Sequence, residues 1–273
     1  MQLPRTRFHL VVVVVGCSRG IGLGLVQRIL ENQPHDRVIA TCRDPANSDL
    51  ARFSDTYPKH RFLLMPLEVS SAQSHQEVLE MLTLESINTI DVLIANAGVA
   101  TPAHPDDEFF NCTPNDLDFV WKTNVLGSML TLQSYSAHVL RSRAKLSVVV
   151  SSRLGSIAQA ISQGGYTAYR ASKAALNMLA VTYASDKTVR DAGGRMLCMH
   201  PGWVQTDMGG SGGRKAPVTV EQSCAGILQV IDHAIEVQTH PSIGFDAAEG
   251  TFQKRLAAEN CVFVGFDGEL MPW

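Results

Sequence analysis

The sequence predicts an α/β fold: a single doubly wound domain whose seven-stranded, mainly parallel sheet has helices on both faces. Short runs rich in valine, isoleucine and leucine recur without polar–apolar alternation, as in strands that are buried on both faces. Helical patterns separate these runs, and such alternation implies a parallel sheet. No linker, low-complexity tract or repeat divides the 273 residues. The predicted strands are Leu10–Val15, Arg37–Thr41, Phe62–Leu67, Ile90–Ala95, Lys145–Ser151, Arg195–His200 and Val262–Gly265.

Composition, charge and cysteine use exclude several functional classes. The net charge is −3 and 45% of the residues are hydrophobic, which is typical of globular proteins and unlike binders that neutralise many nucleic-acid phosphates. The most apolar stretch, Leu10–Val15, is far shorter than the ~20 residues of a membrane span, and no signal peptide is recognised. We therefore expect a cytoplasmic protein with no membrane partner, no nucleic-acid partner and no metal site. The cysteines form no C-x-x-C pair and are expected to be reduced thiols: Cys17, Cys42, Cys112, Cys198, Cys224 and Cys261.

Two long helices have recognisable boundaries. Thr113 supplies an N-cap, Pro114 occupies the first helical position, and an acid follows three residues after the cap. Apolar residues then recur at helical spacing as far as Leu132, so we expect one continuous helix there. A second helix is expected over about Gly165–Ser185, with Gly193-Gly194 ending that region.

A glycine-rich loop follows the first strand and precedes a helix. It is Gly16-Cys17-Ser18-Arg19-Gly20-Ile21-Gly22. Glycine allows the backbone to turn tightly and to approach a pyrophosphate, while the helix N-terminus offers unpaired N–H groups and a positive dipole. The alternative interpretation is a tight strand–helix turn without a ligand. The position of the loop after the first strand of an alternating series favours a dinucleotide-binding Rossmann domain.

Two arginines favour NADP(H) over NAD(H). A site that prefers NAD places a carboxylate at the end of the second strand, for the ribose 2′-hydroxyl. Here Cys42 occupies that place, with Arg43 after it and Arg19 in the glycine-rich loop. Two guanidiniums at this point would bind a 2′-phosphate through charge-assisted hydrogen bonds. The alternative is that both are ordinary surface arginines.

Tyr169 and Lys173 are spaced to lie on one face of the second helix. A phenol has a reference pKa of about 10, and a nearby ammonium favours its ionised form, so we expect Lys173 to lower the pKa of Tyr169. Tyr169 would then donate a proton to a carbonyl oxygen as hydride arrives. A Tyr-x-x-x-Lys pair alone is common, and an exposed helix pair is the alternative.

These features occur in the order found in a known family. The Gly-x-x-x-Gly-x-Gly loop, Asn124 in Asn-Val-Leu-Gly, Ser151-Ser152 after the fifth strand, and Tyr169 with Lys173 together resemble the short-chain dehydrogenase/reductase family. The segments that start at Tyr169 and at His200-Pro201-Gly202-Trp203-Val204 are most similar to its C-factor or sniffer-like carbonyl reductase branch.

The chain departs from the family pattern at three positions. Val15, Glu68 and Ala95 stand where the family usually has threonine, aspartate and asparagine. The threonine is structural in the family, so its loss concerns the geometry of the loop. The other two substitutions fall in segments that hold the adenosine.

The resemblance implies roles for individual residues. Ser152 would bind the substrate oxygen, with Ser156 as a minor rival, and Asn124 would hold a water of the proton relay. Pro201-Gly202 would pass under the nicotinamide, and Thr206 would reach its carboxamide or the diphosphate. The implied catalytic residues are Asn124, Ser152, Tyr169 and Lys173; the implied cofactor-binding residues are Gly16, Ser18, Arg19, Gly20, Ile21, Gly22, Arg43, Glu68, Val69, Asn96, Ala97, Gly98, Tyr169, Lys173, Pro201, Gly202, Val204 and Thr206.

The sequence therefore predicts an NADPH-dependent reductase of ketones, aldehydes or quinones. Two alternatives are an NADP(H)-binding sensor or signalling protein with little turnover and a Rossmann methyltransferase, which would not need Tyr169 or Lys173. The substrate pocket is expected between Thr101–Phe110, Ala158–Gly165 and Trp203–Val218. Residues 207–218, rich in glycine, are expected to form a mobile lid. We expect a homodimer or homotetramer that assembles through the two long helices.

Overall fold

Seven parallel strands form one sheet in the order β3-β2-β1-β4-β5-β6-β7. The computed structural model describes residues 9–101, 108–159, 165–239 and 251–273. Except for β6, the observed strands differ from the predicted ones by one or two residues at one or both ends. The strands are β1 (Val11–Val15), β2 (Arg37–Cys42), β3 (Phe62–Pro66), β4 (Val92–Ala95), β5 (Leu146–Val150), β6 (Arg195–His200) and β7 (Cys261–Gly265).

Helices cover both faces of the sheet. One hydrophobic core contains Leu25 and Ile227 from the helices on one face, and the other contains Leu132 and Leu176 from those opposite. The doubly wound fold is confirmed. The helices are α1 (Gly20–Asn32), α2 (Ala51–Thr56), α3 (Ala72–Leu84), α4 (Pro114–Trp121), α5 (Ser128–Arg141), α6 (Thr167–Ser185), α7 (Lys187–Asp191), α8 (Val220–Thr239) and α9 (Phe252–Ala258).

The helix expected after Thr113 is present, but it is not α-helical throughout. A π-helical turn, Lys122–Gly127, separates α4 from α5. Apolar periodicity could not reveal it, because the residues on either side keep helical spacing. Gly127 permits the wide turn to pack closely, since a Cβ there would lie 2.7 Å from Val69 Cγ2. Such turns are rare in helices and are frequent at functional sites.

The second predicted helix ends as expected, but another helix follows it. Between Ser185 and the glycines at 193–194, Asp186 begins the short helix α7, because its Oδ1 accepts a hydrogen bond of 2.7 Å from the Thr188 N–H. An Asp at this position is a common N-cap.

The carboxyl ends of the parallel strands meet at one edge of the sheet. Val15 of β1 pairs with Thr41 of β2 and with Ala95 of β4, so the order of the strands reverses on either side of β1. The crevice at such a reversal is where open α/β sheets bind ligands. In the ranges that the structure describes, no helix combines the length and the apolar character needed to cross a membrane.

Candidate active site

The glycine-rich loop is anchored to β2 and packs against the segment after β4. The N–H groups of Gly16 and Cys17 donate to Thr41 O at 3.1 and 2.9 Å. Gly16 has φ +83°, and a Cβ there would lie 2.7 Å from Ala97 Cα. Only glycine meets both requirements, the left-handed backbone and the close approach.

Asn96 braces this loop from inside the protein. Its Nδ2 donates to Gly16 O at 2.7 Å, and a Cβ on Gly22 would lie 2.5 Å from the same nitrogen. Gly22 thus leaves room for the Asn96 amide. Val15, fully buried at the end of β1, has no hydroxyl to hold the loop, and the Asn96 amide supplies a polar contact. The sequence predicts Asn96 as a cofactor contact and does not reveal this bracing role.

The start of α1 fits a phosphate group. Arg19 precedes the helix without a side-chain capping bond, and no acidic residue lies in the first turn. The N-terminal N–H groups and the positive end of the helix dipole therefore suit an anion. Gly20 has φ +57°, and a Cβ there would lie 3.2 Å from Thr206 Cγ2. The loop and Thr206 thus border the same space, as expected for a cradle around a diphosphate.

The two arginines expected at a 2′-phosphate are both exposed. Arg43 directly follows β2, two residues after the Thr41 carbonyl that anchors the loop. Arg19 Nη1 lies 3.1 Å from Asp207 Oδ2, and 76% of the Arg19 side chain is exposed. The sequence did not indicate this ion pair with the segment after β6.

The segment after β3 is closed by hydrogen bonds of its own. Glu68 Oε1 accepts from the backbone N–H and the hydroxyl of Ser70, at 3.2 and 3.0 Å. The ring of His75 lies 3.0 Å from Val69 O through Nε2 and 3.1 Å from the Tyr135 hydroxyl through Nδ1. Since a carbonyl only accepts, Nε2 carries the proton and Nδ1 accepts from Tyr135. The buried imidazole thus fixes the backbone of Val69, where the adenine is expected.

Tyr169 lies in the first turn of α6, next to Ser152. Burial raises the pKa of Tyr169 to about 12, and the hydrogen bond with Ser152 acts in the opposite direction. The expectation of a lowered phenol pKa is wrong for this arrangement, because the loss of hydration outweighs the hydrogen bond with Ser152. A phenol with this pKa is protonated at neutral pH, which is the state that a proton donor needs.

Lys173 lies one helical turn further on and is almost fully buried. Its Nζ donates to Val150 O at 2.8 Å and lies 5.6 Å from the centre of the Tyr169 ring. Burial lowers the pKa of Lys173 to about 8. The ammonium is therefore present at neutral pH, directed at the end of β5.

Asn124 connects the segment after β4 with the start of α6. Its Oδ1 accepts from Val99 N–H at 2.8 Å, and its Nδ2 donates to Val99 O and to Ser172 Oγ, each at 2.9 Å. Ser172 Oγ in turn donates to Tyr169 O at 2.7 Å. The π-helical turn therefore holds the backbone of Tyr169 through Ser172. The water that the resemblance assigns to Asn124 stays a prediction.

Two residues that support the site were not among the predicted site residues, Asn177 and Gly155. Ser151 Oγ donates to Asn177 Oδ1 at 2.5 Å, and Asn177 Nδ2 donates to Gly155 O at 3.3 Å. A Cβ on Gly155 would lie 2.6 Å from the carbonyl carbon of Lys173. The turn after Ser152 thus packs directly on α6. Asn177 could have been suspected, because it lies four residues after Lys173 on the same helix face.

Ser156, the alternative to Ser152 for binding the substrate oxygen, makes a different contact. Ser156 is buried, and its Oγ accepts from the Gln159 N–H at 3.2 Å, whereas Ser152 is the serine bonded to Tyr169.

The segment after β6 turns back on itself. Gly202 has φ +88°, and a Cβ there would lie 2.9 Å from the Phe266 ring. Val204 pairs with Val218, and Thr206 Oγ1 accepts from the Gly209 N–H at 3.2 Å. The Val204–Val218 bridge therefore brings the two ends of the expected lid, residues 207–218, close together, and the motion of the lid stays a prediction.

The expected substrate pocket is described only in part. Of its predicted lining, residues 102–107 and 160–164 lie outside the described ranges. Among the described residues, the Arg214 guanidinium lies 5.0 Å from the centre of the Tyr166 ring, three residues before Tyr169. Trp273 O accepts from the Ala158 N–H at 3.0 Å. This contact of the residues after β7 was not predicted.

The remaining predicted cofactor contacts are at the same edge of the sheet: Ser18, Ile21, Ala97, Gly98, Pro201 and Val204.

Comparisons with known proteins agree with this geometry. Residues 10–216 match the family described as short chain dehydrogenase. A relative named short-chain dehydrogenase srdF, from Neurospora crassa, is 30% identical over 81% of this chain and 89% of its own. C-signal from Myxococcus xanthus is 36% identical over 52% of this chain and 81% of its own.

A solved structure is similar over nearly the whole length. The NADPH-bound carbonyl reductase from chicken fatty liver is 29% identical, with a TM-score of 0.79, and the match covers 97% of this chain and 100% of that one. The resemblance seen in the motifs is thereby confirmed. With its parallel sheet and its ordered Asn, Ser, Tyr and Lys, the chain belongs to the short-chain dehydrogenase family of oxidoreductases.

Proposed function

We propose that this protein is an NADPH-dependent reductase that converts the carbonyl group of a ketone, an aldehyde or a quinone into an alcohol. The observation that carries the proposal is the convergence of three groups at the ends of β5 and α6. A protonated Tyr169 phenol bonds to Ser152, and the buried ammonium of Lys173 lies 5.6 Å from the phenol ring. Such a group of residues suits proton donation to an oxygen.

Each residue has a separate task in this proposal. Bound NADPH would supply the hydride. Ser152 binds the carbonyl oxygen of the substrate and orients it toward the phenol. Tyr169 Oη donates its proton to that oxygen as the carbon becomes saturated, so that the product is a neutral alcohol. Lys173, held by Val150 O, stabilises the phenolate that remains until a proton returns from solvent.

The choice of NADPH over NADH rests on charge at the end of β2. Cys42 offers no carboxylate for a ribose 2′-hydroxyl, and Arg43 and Arg19 provide positive charge instead. An additional phosphate is favoured by guanidinium groups. The similar carbonyl reductase from chicken fatty liver is bound to NADPH, which supports the same choice.

The Tyr169→Phe variant tests the mechanism. With a panel of ketones, aldehydes and quinones, followed by the loss of NADPH absorbance, kcat should fall by at least about 100-fold because the proton donor is gone. The Kd for NADPH, measured by fluorescence, should stay within a few fold. Tyr183→Phe is the matched control, since Tyr183 lies on the same helix but bonds to Ser136.

Two outcomes would contradict the proposal. Full activity in Tyr169→Phe would exclude this phenol as the proton donor. If no carbonyl compound accelerated NADPH oxidation by the unmodified protein while NADPH still bound, a sensor with little turnover would be the better description.

Assembly into a homodimer or homotetramer stays part of the proposal. Large apolar side chains are exposed on the helices predicted to associate: Phe119 and Trp121 on α4, and Met178 on α6, which is 65% exposed. A second copy of the chain is the partner that would cover them.

A further inference from the structure

His200 is a titratable residue at the catalytic edge that the proposed mechanism does not use. It ends β6, and its backbone O accepts from the Phe266 N–H at 2.8 Å, which ties it to the segment after β7. Its ring faces the other way, toward β5. There Nδ1 accepts a hydrogen bond of 3.3 Å from the backbone N–H of Arg153.

The ring of His200 replaces a backbone acceptor in the hydrogen-bond ladder between β5 and β6. The last backbone bond between β5 and β6 runs from Ser151 N–H to Met199 O, at 2.8 Å. In a parallel ladder the next donor on that side is two residues further on, Arg153, and its acceptor would be Pro201 O. That carbonyl instead accepts from Ser223 Oγ at 2.6 Å. The N–H of Arg153 turns to the imidazole, which supplies the acceptor that the backbone no longer provides.

The residue held in this way begins the turn that carries Ser152. Arg153–Gly155 forms a 3-10 turn whose N-cap is Ser152, with Ser152 Oγ accepting from the Leu154 N–H. The same turn packs on α6 through Gly155. A shift of the Arg153 N–H would therefore move the hydroxyl that bonds to Tyr169.

We propose that His200 is a positioning residue, whose imidazole Nδ1 replaces a backbone acceptor at the end of β5 and so fixes Ser152 for catalysis. The inference rests on the proposed function, because it assigns Ser152 to the substrate oxygen.

The environment keeps Nδ1 able to accept. Burial lowers the pKa of His200 to about 4, and the positive charge of Arg153 acts in the same direction, against the opposing effect of Asp267. At neutral pH the ring is uncharged. Since Nδ1 accepts, its single proton is on Nε2.

Three substitutions distinguish the effect of losing the Nδ1 acceptor from the effect of losing the volume of the ring. His200→Asn places an amide oxygen near the position of Nδ1 and keeps the acceptor. His200→Leu fills similar space without one, and His200→Gln carries the amide one carbon further away. For His200→Leu we expect kcat to fall by about tenfold or more, with the Kd for NADPH within about twofold of wild type, whereas His200→Asn should retain most of kcat.

A second measurement does not depend on turnover. Hydrogen exchange of the Arg153 amide, observed by NMR, should be slow in the wild type and in His200→Asn, and faster in His200→Leu. If His200→Leu does not fold, His200→Gln replaces it in both comparisons.

The outcomes distinguish this inference from the proposed function. Unchanged kcat in a folded variant without the acceptor would overturn the positioning role, as would an equal loss in His200→Asn and His200→Leu. An Arg153 amide that exchanges at the same rate in all variants would overturn the hydrogen bond itself. Activity that survives in Tyr169→Phe would contradict the mechanism while leaving the exchange comparison valid.

Discussion

The guanidinium of Arg19 lies 3.1 Å from the carboxylate of Asp207, so an ion pair joins the glycine-rich loop to the segment after β6. Both side chains are more than three-quarters exposed, and pairs of this kind are weak because water and salt screen them. The pair nevertheless engages the arginine that we expect to bind a 2′-phosphate. We therefore expect Asp207 to compete with the 2′-phosphate of the cofactor for the same cation.

Replacing Asp207 by Asn should tighten the binding of NADPH. The change removes a competing negative charge, and for an exposed pair the gain in Kd should not exceed about fivefold. NADH, which has no 2′-phosphate, should bind with unchanged affinity. Fluorescence titration with both nucleotides at low and high salt measures this, and the difference should shrink at high salt.

The control for this variant is Asp191→Asn, which removes another exposed acid, the partner of Lys187 on the short helix α7. Its affinity for NADPH should equal that of the wild type. Equal tightening of NADPH and NADH by Asp207→Asn would show that the Arg19–Asp207 pair does not compete with the 2′-phosphate. A protease could also cleave Asp207→Asn faster than the wild type within residues 207–218. If bound NADPH removed that difference, the result would support a lid that the Arg19–Asp207 pair helps to hold.

The sequence predicts those parts of the site that depend on backbone conformation or on spacing along one element. The glycines of the loop after β1 and the Tyr169–Lys173 pair could be singled out because they depend on backbone conformation and on spacing within one helix. Asn124 and Ser152 lie on other elements, and only the resemblance to a known family pointed to them. The strands could be predicted because burial on both faces leaves continuous apolar runs.

The remaining features depend on neighbours that are distant in sequence. Asn96 braces Gly16 from 80 residues away, and Lys173 donates to Val150 on another element. The raised pKa of Tyr169 follows from burial that only the assembled fold creates. No local pattern encodes these contacts, since each requires two elements to be in register in space.

Gly155 offers a test of the close contact between the turn after Ser152 and α6. In Gly155→Ala the new Cβ would lie 2.6 Å from the carbonyl carbon of Lys173 and 2.8 Å from its Cβ. These atoms belong to a helix and cannot move aside, so we expect a loss of about 1–3 kcal/mol in the free energy of unfolding. Because the turn positions Ser152, kcat should fall as well. Urea denaturation and steady-state kinetics measure the two effects.

Gly210→Ala is the matched control, because a Cβ there would approach Thr206 O no closer than 3.4 Å. Its stability should change little. If Gly155→Ala were as stable as the wild type, the turn would have room that the structure does not show.

The burial of Lys173 has a predictable effect on stability as a function of pH. Burial lowers the pKa of Lys173 from 10.5 to about 8 in the folded protein. Between these two values the unfolded chain binds more protons than the folded one, so the contribution of this residue to stability rises with pH. Below about pH 8 the folded protein bears the cost of a buried ammonium, and above it that cost is relieved.

The Lys173→Met variant isolates this contribution. The variant keeps a long side chain but has no titratable group at this position, and the other titratable groups are common to both proteins. Its free energy of unfolding relative to the wild type should therefore decrease by about 2 kcal/mol between about pH 7 and about pH 9.5, at ~1.4 kcal/mol for each pKa unit. Urea denaturation of both proteins across this range measures the difference. A difference that stays constant with pH would mean that Lys173 ionises in the fold as it does in water, and that its amine is more hydrated than its burial beside Val150 implies.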